Sequence, residues 1–301
     1  MLCLLLIASV IPSIIACPRH DFNARGSLNK RASGEHQWAY EASFNWGMLN
    51  RGQFGCFLSS TLHLLLLTIP EYITCQIGTQ QSPIMLKTSQ GLASSHIPTF
   101  DAEAYSKVEG ELHNWGYGPA FTNPFSTNGP AMKYDDQTLY LKGLHVHSPA
   151  DHPIENERAK AELHLVHADA SGAEKGVIAI RVDPGNAESA FFAQLLSGNQ
   201  PGSNSSSGYT TSSTSVVPKF DSQEKRSITL NVLQAIKEVN MFSDFWTYQG
   251  SLTSPPCTEG IRFWVARNTL YVSIAQMQAI LAVSTYSARN EQEVWMHGIN
   301  R

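Results

Sequence analysis

From Cys75 onward the chain consists of short apolar runs cut by clusters of Gly, Pro, Asn and Asp: KVEGELHNWG, QTLYLKGLHVH, AELHLVHADASG and GVIAIRVD. Apolar and polar positions alternate within them, and an alternation of period two sends successive side chains to opposite faces of a strand. The even spacing of runs and turn residues predicts an antiparallel sheet. Helical spacing is confined to a few places. Residues 187–196 set Phe191 and Leu195 on one face, residues 274–281 read as helix, and residues 228–239 fit either strand or helix. The fold class that follows is mainly β (α+β), a single domain with a few short peripheral helices.

Four stretches interrupt this pattern. Residues 1–16, MLCLLLIASVIPSIIA, are apolar with small residues near their end, as in a secretory signal cleaved near Ala16, although a positively charged start is missing. Residues 17–31 are polar and end in Lys30-Arg31, a possible processing site that would start the mature chain at Ala32. Residues 51–69 carry Cys56 and the run LHLLLL, too short and interrupted to span a membrane; they read as a buried element or as an insertion into an otherwise continuous text. Residues 197–218 are Ser-rich and too polar to pack, which predicts a flexible surface loop within one domain spanning 32–301. By contrast, WAYEASFNW at residues 38–46 is aromatic enough to be a packed N-terminal arm.

Composition narrows the function classes. With 301 residues and 42% hydrophobic content the chain can bury a sizeable core. A formal net charge of -4 with no Lys/Arg run offers neither a nucleic-acid surface nor a polybasic membrane contact. Of the five cysteines, Cys3 falls in the leader and Cys17 at its edge, which leaves Cys56, Cys75 and Cys257 in the body of an exported chain. One disulfide and one odd thiol are the minimum arithmetic.

The chemistry concentrates in residues 144–167, which hold five of the eleven histidines. His145 and His147 flank Val146 and so share a strand face, and a second strand can bring His164 beside them. Three convergent imidazoles suggest a metal, and three protein ligands leave tetrahedral zinc an open fourth position, the catalytic arrangement.

Five segments occur together in order: W-x-Y at Trp38 and Tyr40, Gln81-Ser82-Pro83-Ile84, HVH at 145–147, AELHLVH at 161–167 and SLTSPP at 251–256. With these the chain resembles an alpha-class carbonic anhydrase of the secreted type. The resemblance implies a large twisted, mostly antiparallel central sheet of about ten strands. It also implies a Zn2+ cofactor on His145, His147 and His164, and zinc-bound hydroxide converting carbon dioxide reversibly to bicarbonate. Thr253 would accept the hydroxide's proton and pass its own to Asp151, and Glu162 would hold the ring N–H of His164. Val166, Val177, Leu252, Ser254, Ile261 and Phe263 would line the substrate pocket, while His152 and His167 would be hydrogen-bonded or structural. Cys75 and Cys257 match a disulfide pair of secreted relatives.

Three departures from the family pattern weigh on turnover. Asp151 stands where Glu is usual and is one methylene short. Gly143 stands where a glutamine supports the first ligand, leaving His145 to water or another partner. Tyr117 stands where a His shuttles protons and cannot titrate near neutrality; His113, close in sequence, is either a substitute shuttle or an ordinary surface histidine, and turnover should be slower and buffer-dependent. A carbonic-anhydrase-like binding protein with weak or no turnover is therefore the alternative function. A small-molecule substrate, no nucleic acid and no stable membrane insertion complete the expectation.

Overall fold

In the computed structural model, which describes residues 38–48, 72–124, 128–197, 217–219 and 222–301, the alternating runs are strands. In chain order they are β1 (Thr99–Phe100), β2 (Val108–Asn114), β3 (Pro119–Thr122), β4 (Ala131–Tyr134), β5 (Gln137–His147), β6 (Ala161–Ala168) and β7 (Glu174–Gly185). β8 (Arg226–Leu230), β9 (Phe245–Ser251), β10 (Glu259–Ala266) and β11 (Leu270–Ser273) follow. All eleven join one sheet whose main path runs β8-β2-β3-β5-β6-β7-β10-β9, with β4 and β1 beyond β5 and β11 beside β7. Pairing is antiparallel except where β7 meets β10 and β11. This agrees with the expected mostly antiparallel sheet of about ten strands. The expected leader, pro-segment and 51–69 insertion, and all but the ends of the Ser-rich loop, lie outside the described residues.

The helices are short: α1 (Thr74–Ile77), α2 (Ala102–Ser106), α3 (Ala190–Ser197), α4 (Leu233–Glu238) and α5 (Ile274–Ala282). Residues 228–239 are both of their alternatives in succession, the end of β8 and then α4; Asn231 Oδ1 accepts from Gln234 N at 3.2 Å where the chain changes conformation. α5 starts where Ser273 Oγ accepts from Gln276 N and Gln276 Oε1 accepts from Ser273 N, a reciprocal cap.

The two faces of the sheet have different tasks. Leu144, Val146, Leu163, Leu165, Ile178 and Ile180 project to one side and pack with Phe191, Leu195, Ile236 and Ile280 of the helices in the main core. The intervening residues project to the other side, which carries His145, His147 and His164 and a second apolar cluster around Val177, Ile261 and Phe263. Alternation in sequence therefore separates stabilising from chemical side chains.

His167 lies on the core side, fully buried, with Nε2 2.7 Å from the Tyr105 hydroxyl. Burial pushes its pKa down to about 4, opposed by the backbone of Leu165 and Gly176. In the unfolded chain an imidazole titrates near 6.5, so below that pH the unfolded state binds the extra proton. The stabilisation is complete above pH 6.5 and is lost as pH falls toward 4, about 3 kcal/mol in all. Urea unfolding of the protein and of His167→Gln across this window should show a shallower slope in the variant; equal slopes would refute the assignment.

Candidate metal centre

β5 and β6 pair so that His145 faces His164 and His147 faces Glu162. Residues directly opposite on antiparallel strands share a face, and the spacing of two within HVH keeps both β5 imidazoles on it. The three ring centroids lie 4.6 to 5.2 Å apart. One nitrogen from each ring falls within 4.8 Å of the others.

The partners of each ring fix which nitrogen remains. His147 Nδ1 lies 2.6 Å from the Ser287 carbonyl, which can only accept, so this nitrogen carries the proton and Nε2 keeps its lone pair. His164 Nε2 lies 2.6 Å from Glu162 Oε1, which leaves Nδ1 as its free donor. His145 Nε2 faces His147 Nε2 across 3.0 Å, a separation that requires a proton or a cation between the two nitrogens. Burial lowers the His145 pKa well below the ordinary value, with His147 and His164 adding to the effect. A neutral, nitrogen-only donor set of this kind fits Zn2+ with one position left open.

Behind the ligands runs a buried polar chain. Glu162 Oε1 also faces His152 Nδ1 at 2.6 Å, and Glu162 Oε2 accepts from His152 N at 2.9 Å. His152 Nε2 meets the Tyr248 hydroxyl at 2.6 Å, and that hydroxyl lies 3.1 Å from Ser82 Oγ, which accepts from Ser251 N at 3.0 Å. Burial alone would raise the Glu162 pKa; the imidazoles of His152 and His164 hold it well below the usual carboxylate range. Ser82 gives the QSPI segment a structural meaning, and Gln81 another: its Nε2 donates to Cys257 O at 3.2 Å.

The apolar pocket residues fall one pleat along on the same face. Val166 pairs with Val177 and Val177 with Phe263, the row next to His164 and Ala179. The Phe263 ring centroid is 6.0 Å from that of His164. Val177, Ile261 and Phe263 are buried, while Val166 and Leu252 are partly open and pack against them. Thr253 is buried and Ser254 half-buried in the turn after β9. Cys257 in that turn is bonded to Cys75, closing a sequence separation of 182.

One expected contact is corrected. Asp151 does not bond Thr253: its Oδ1 accepts from Arg289 N at 2.8 Å, and its buried Oδ2 has no hydrogen bond among the described residues, lying 3.5 Å from His147 Nε2. The missing methylene is the physical reason, since the shorter arm is used up in reaching the Arg289 backbone. Tyr117, expected not to titrate near neutrality, is enclosed by other rings. It is buried in an aromatic cluster, stacked 5.9 Å from Trp38 and edge-on 5.0 Å from Tyr40, and burial pushes its pKa up to about 12 with the Glu41 charge adding. His113 is half-buried two strands from His145, in the row His113, Ala120, His145 on the ligand face, a span of about 10 Å.

Besides the Ser287 carbonyl, sequence reasoning missed Arg289 and Trp115. Arg289 is fully buried, donates from Nη1 to Ser82 O at 2.6 Å and from Nη2 to Cys75 O at 3.0 Å, and lies over the Trp46 ring. Nothing in its local sequence marks it. Trp115 packs on the ligands, its ring centroid 5.0 Å from His145 and 5.2 Å from His147. Its place within the N-x-G segment was the available signal.

Comparison with known proteins agrees with this geometry. The chain matches the eukaryotic-type carbonic anhydrase family over residues 70–301. Dioscorin DB3S of Dioscorea polystachya is 28% identical over 208 residues, 69% of each chain. A carbonic anhydrase of Klebsiella pneumoniae is 25% identical over 244 residues, 80% of each. The alpha-carbonic anhydrase structure of Photobacterium profundum shares the fold with a TM-score of 0.57 at 24% identity, covering 76% of this chain and 92% of that one. A matched segment that takes in all three histidines, the Thr253 turn and both bridged cysteines leaves one conclusion: the chain belongs to the alpha carbonic anhydrase family.

Proposed function

We propose that the protein catalyses the reversible hydration of carbon dioxide, with zinc held by His145, His147 and His164. The observation that carries this reading is the convergence of three imidazoles, two of them tautomer-fixed, on one point of the sheet face, beside an apolar wall. Zinc bound there supplies a water that ionises near pH 7, a value for which carbonic anhydrases are themselves the reference case. Glu162 and the Ser287 carbonyl keep His164 and His147 in the ligating tautomers. Val166, Val177, Leu252, Ile261 and Phe263 give a nonpolar substrate a surface that asks for no hydrogen bond, and Ser254 lies at its edge. Tyr117 stays protonated, so His113 is the group on the ligand face that exchanges protons with solvent; burial lowers its pKa, and its bond to the Glu111 carbonyl opposes the shift. The disulfide and the leader-like residues 1–16 support an exported protein whose domain begins after Lys30-Arg31.

A second reading, a carbonic-anhydrase-like binding protein with weak turnover, is favoured by the unpaired Asp151 Oδ2. One experiment separates the two: zinc content and carbon dioxide hydration, measured for the protein and for Asp151→Glu. The expected result is one zinc per chain, measurable hydration, and a rise of about tenfold or more when the longer carboxylate regains Thr253. Zinc-loaded protein inactive in both forms would leave the binding reading; a chain that takes up no zinc would overturn the zinc-dependent reading.

A further inference from the structure

His145 differs from the other two ligands in what holds it. His147 has Ser287 O and His164 has Glu162, whereas among the described residues no hydrogen-bond partner meets His145 Nδ1. The neighbouring position of the same strand and face is Gly143, and no side chain fits there. A Cβ at Gly143 would come within 2.4 Å of the Phe121 carbonyl oxygen on β3, which pairs directly with β5 and sets Thr122 opposite Gly143. An imidazole without such support rotates about its χ2 torsion, which is broad and shallow, and a ligand that rotates has to be ordered when the ion binds.

Trp115 packs against the ring that lacks this support. Its ring tilts at 55° to His145 with centroids 5.0 Å apart, and stands at 70° to His147 with centroids 5.2 Å apart. The indole is itself held from several sides. Nε1 donates to Val146 O at 3.4 Å, Tyr117 packs on the ring at 4.9 Å, and Tyr40 meets it edge-on at 6.2 Å. The turn that presents it is anchored too. Trp115 N donates to Gly118 O at 3.1 Å, Gly116 N donates to Asn114 Oδ1 at 3.0 Å, and Asn114 Nδ2 donates to Val283 O at 2.8 Å. Gly116 takes φ +96°, and a Cβ at Gly118 would meet Val146 O at 2.8 Å, so both glycines are needed for the turn to close over the strand.

We infer that Trp115 is a positioning residue for the metal, its indole fixing the ring planes of His145 and His147 by packing where the hydrogen-bonding side chain at position 143 is absent. The inference rests on the proposed zinc site. Its consequence is that zinc affinity depends on an aromatic plate at position 115, independently of any contact of Trp115 with substrate.

The test is metal binding, read without turnover. Protein stripped with a chelator is titrated with zinc against a chromophoric competitor, for the wild type, Trp115→Ala, Trp115→Leu and Trp115→Phe, and the visible spectrum of each Co2+-loaded form is recorded. The expected result is a dissociation constant raised about 10- to 100-fold in the Ala and Leu variants, the range for lost support of a ligating imidazole. It comes with an altered Co2+ spectrum, and with recovery to near the wild-type value in the Phe variant, which keeps a ring but not the Nε1–H. Thermal unfolding of the stripped proteins accompanies the titrations; the Leu and Phe variants keep bulk at the position and carry the comparison if the Ala variant does not fold. Wild-type zinc affinity and an unchanged Co2+ spectrum in Trp115→Leu would overturn the inference while leaving the zinc site standing. Failure of the wild type itself to bind zinc would instead overturn the reading beneath it.

Discussion

Replacing His147 by alanine should leave the protein with less than a tenth of an equivalent of zinc and reduce its carbon dioxide hydration to the uncatalysed background. Two imidazoles remain, and two neutral nitrogen donors do not hold zinc in competition with a chelator. Loss of a group that merely supports a ligand costs about 10- to 100-fold in affinity or activity, and loss of a ligand costs more. The substitution also removes the donor facing Ser287 O in a buried setting, which costs about 1–3 kcal/mol if the carbonyl stays unpaired. Unfolding of the metal-free variant should accompany the assay, so that lost activity is assigned to the ion and not to the fold. A variant with full zinc content and full rate would remove His147 from the site and the proposed function with it.

The second large effect concerns stability. Reducing the Cys75–Cys257 bond frees a loop with a sequence separation of 182, worth about 5 kcal/mol in the chain-entropy model. A domain's whole stability is about 5–15 kcal/mol, so the reduced protein should unfold at a much lower urea concentration, as should Cys257→Ser. The loss should extend to the site. Cys257 N donates to Ser254 O at 2.8 Å, Gln81 reaches Cys257 O, and Arg289 reaches Cys75 O while its own N–H holds Asp151. Equal urea midpoints with and without reductant, after mass spectrometry has shown both thiols free, would refute the stabilising role.

The readable part of this molecule is what a short period encodes. HVH and AELHLVH give their face by alternation alone, and pairing β5 with β6 needs only that two apolar strands stand side by side. The five ordered segments carried the family, and the strand runs carried the sheet. What stayed hidden depends on reach. Asp151 shows in sequence as a shortened carboxylate, but that its arm ends on Arg289 N and leaves Oδ2 unpaired among the described residues is a matter of the folded chain. Gly143 reads as a missing partner for His145; that β3 forbids any side chain there is a fact of strand approach. Ser287 acts through its carbonyl, which every residue has, and so leaves no mark in the text. Tyr117 was legible as a group that cannot titrate, yet its burial against Trp38 follows from the docking of an arm distant in sequence.

That same arrangement sets an order of assembly. His145 and His164 sit on consecutive strands, so their meeting requires a short loop to close, and little chain entropy opposes it. Asp151 and Arg289 are 138 residues apart and Ser82 and Arg289 207 apart, so the carboxylate and the Thr253 turn find their final places after nearly the whole chain has docked. Contacts of such separation form late and slowly. The meeting of the three imidazoles is thus a local property of one strand pair, whereas the groups that hold them in place, Ser287 O on His147 and Trp115 against His145, belong with the Asp151–Arg289 contact to the completed fold.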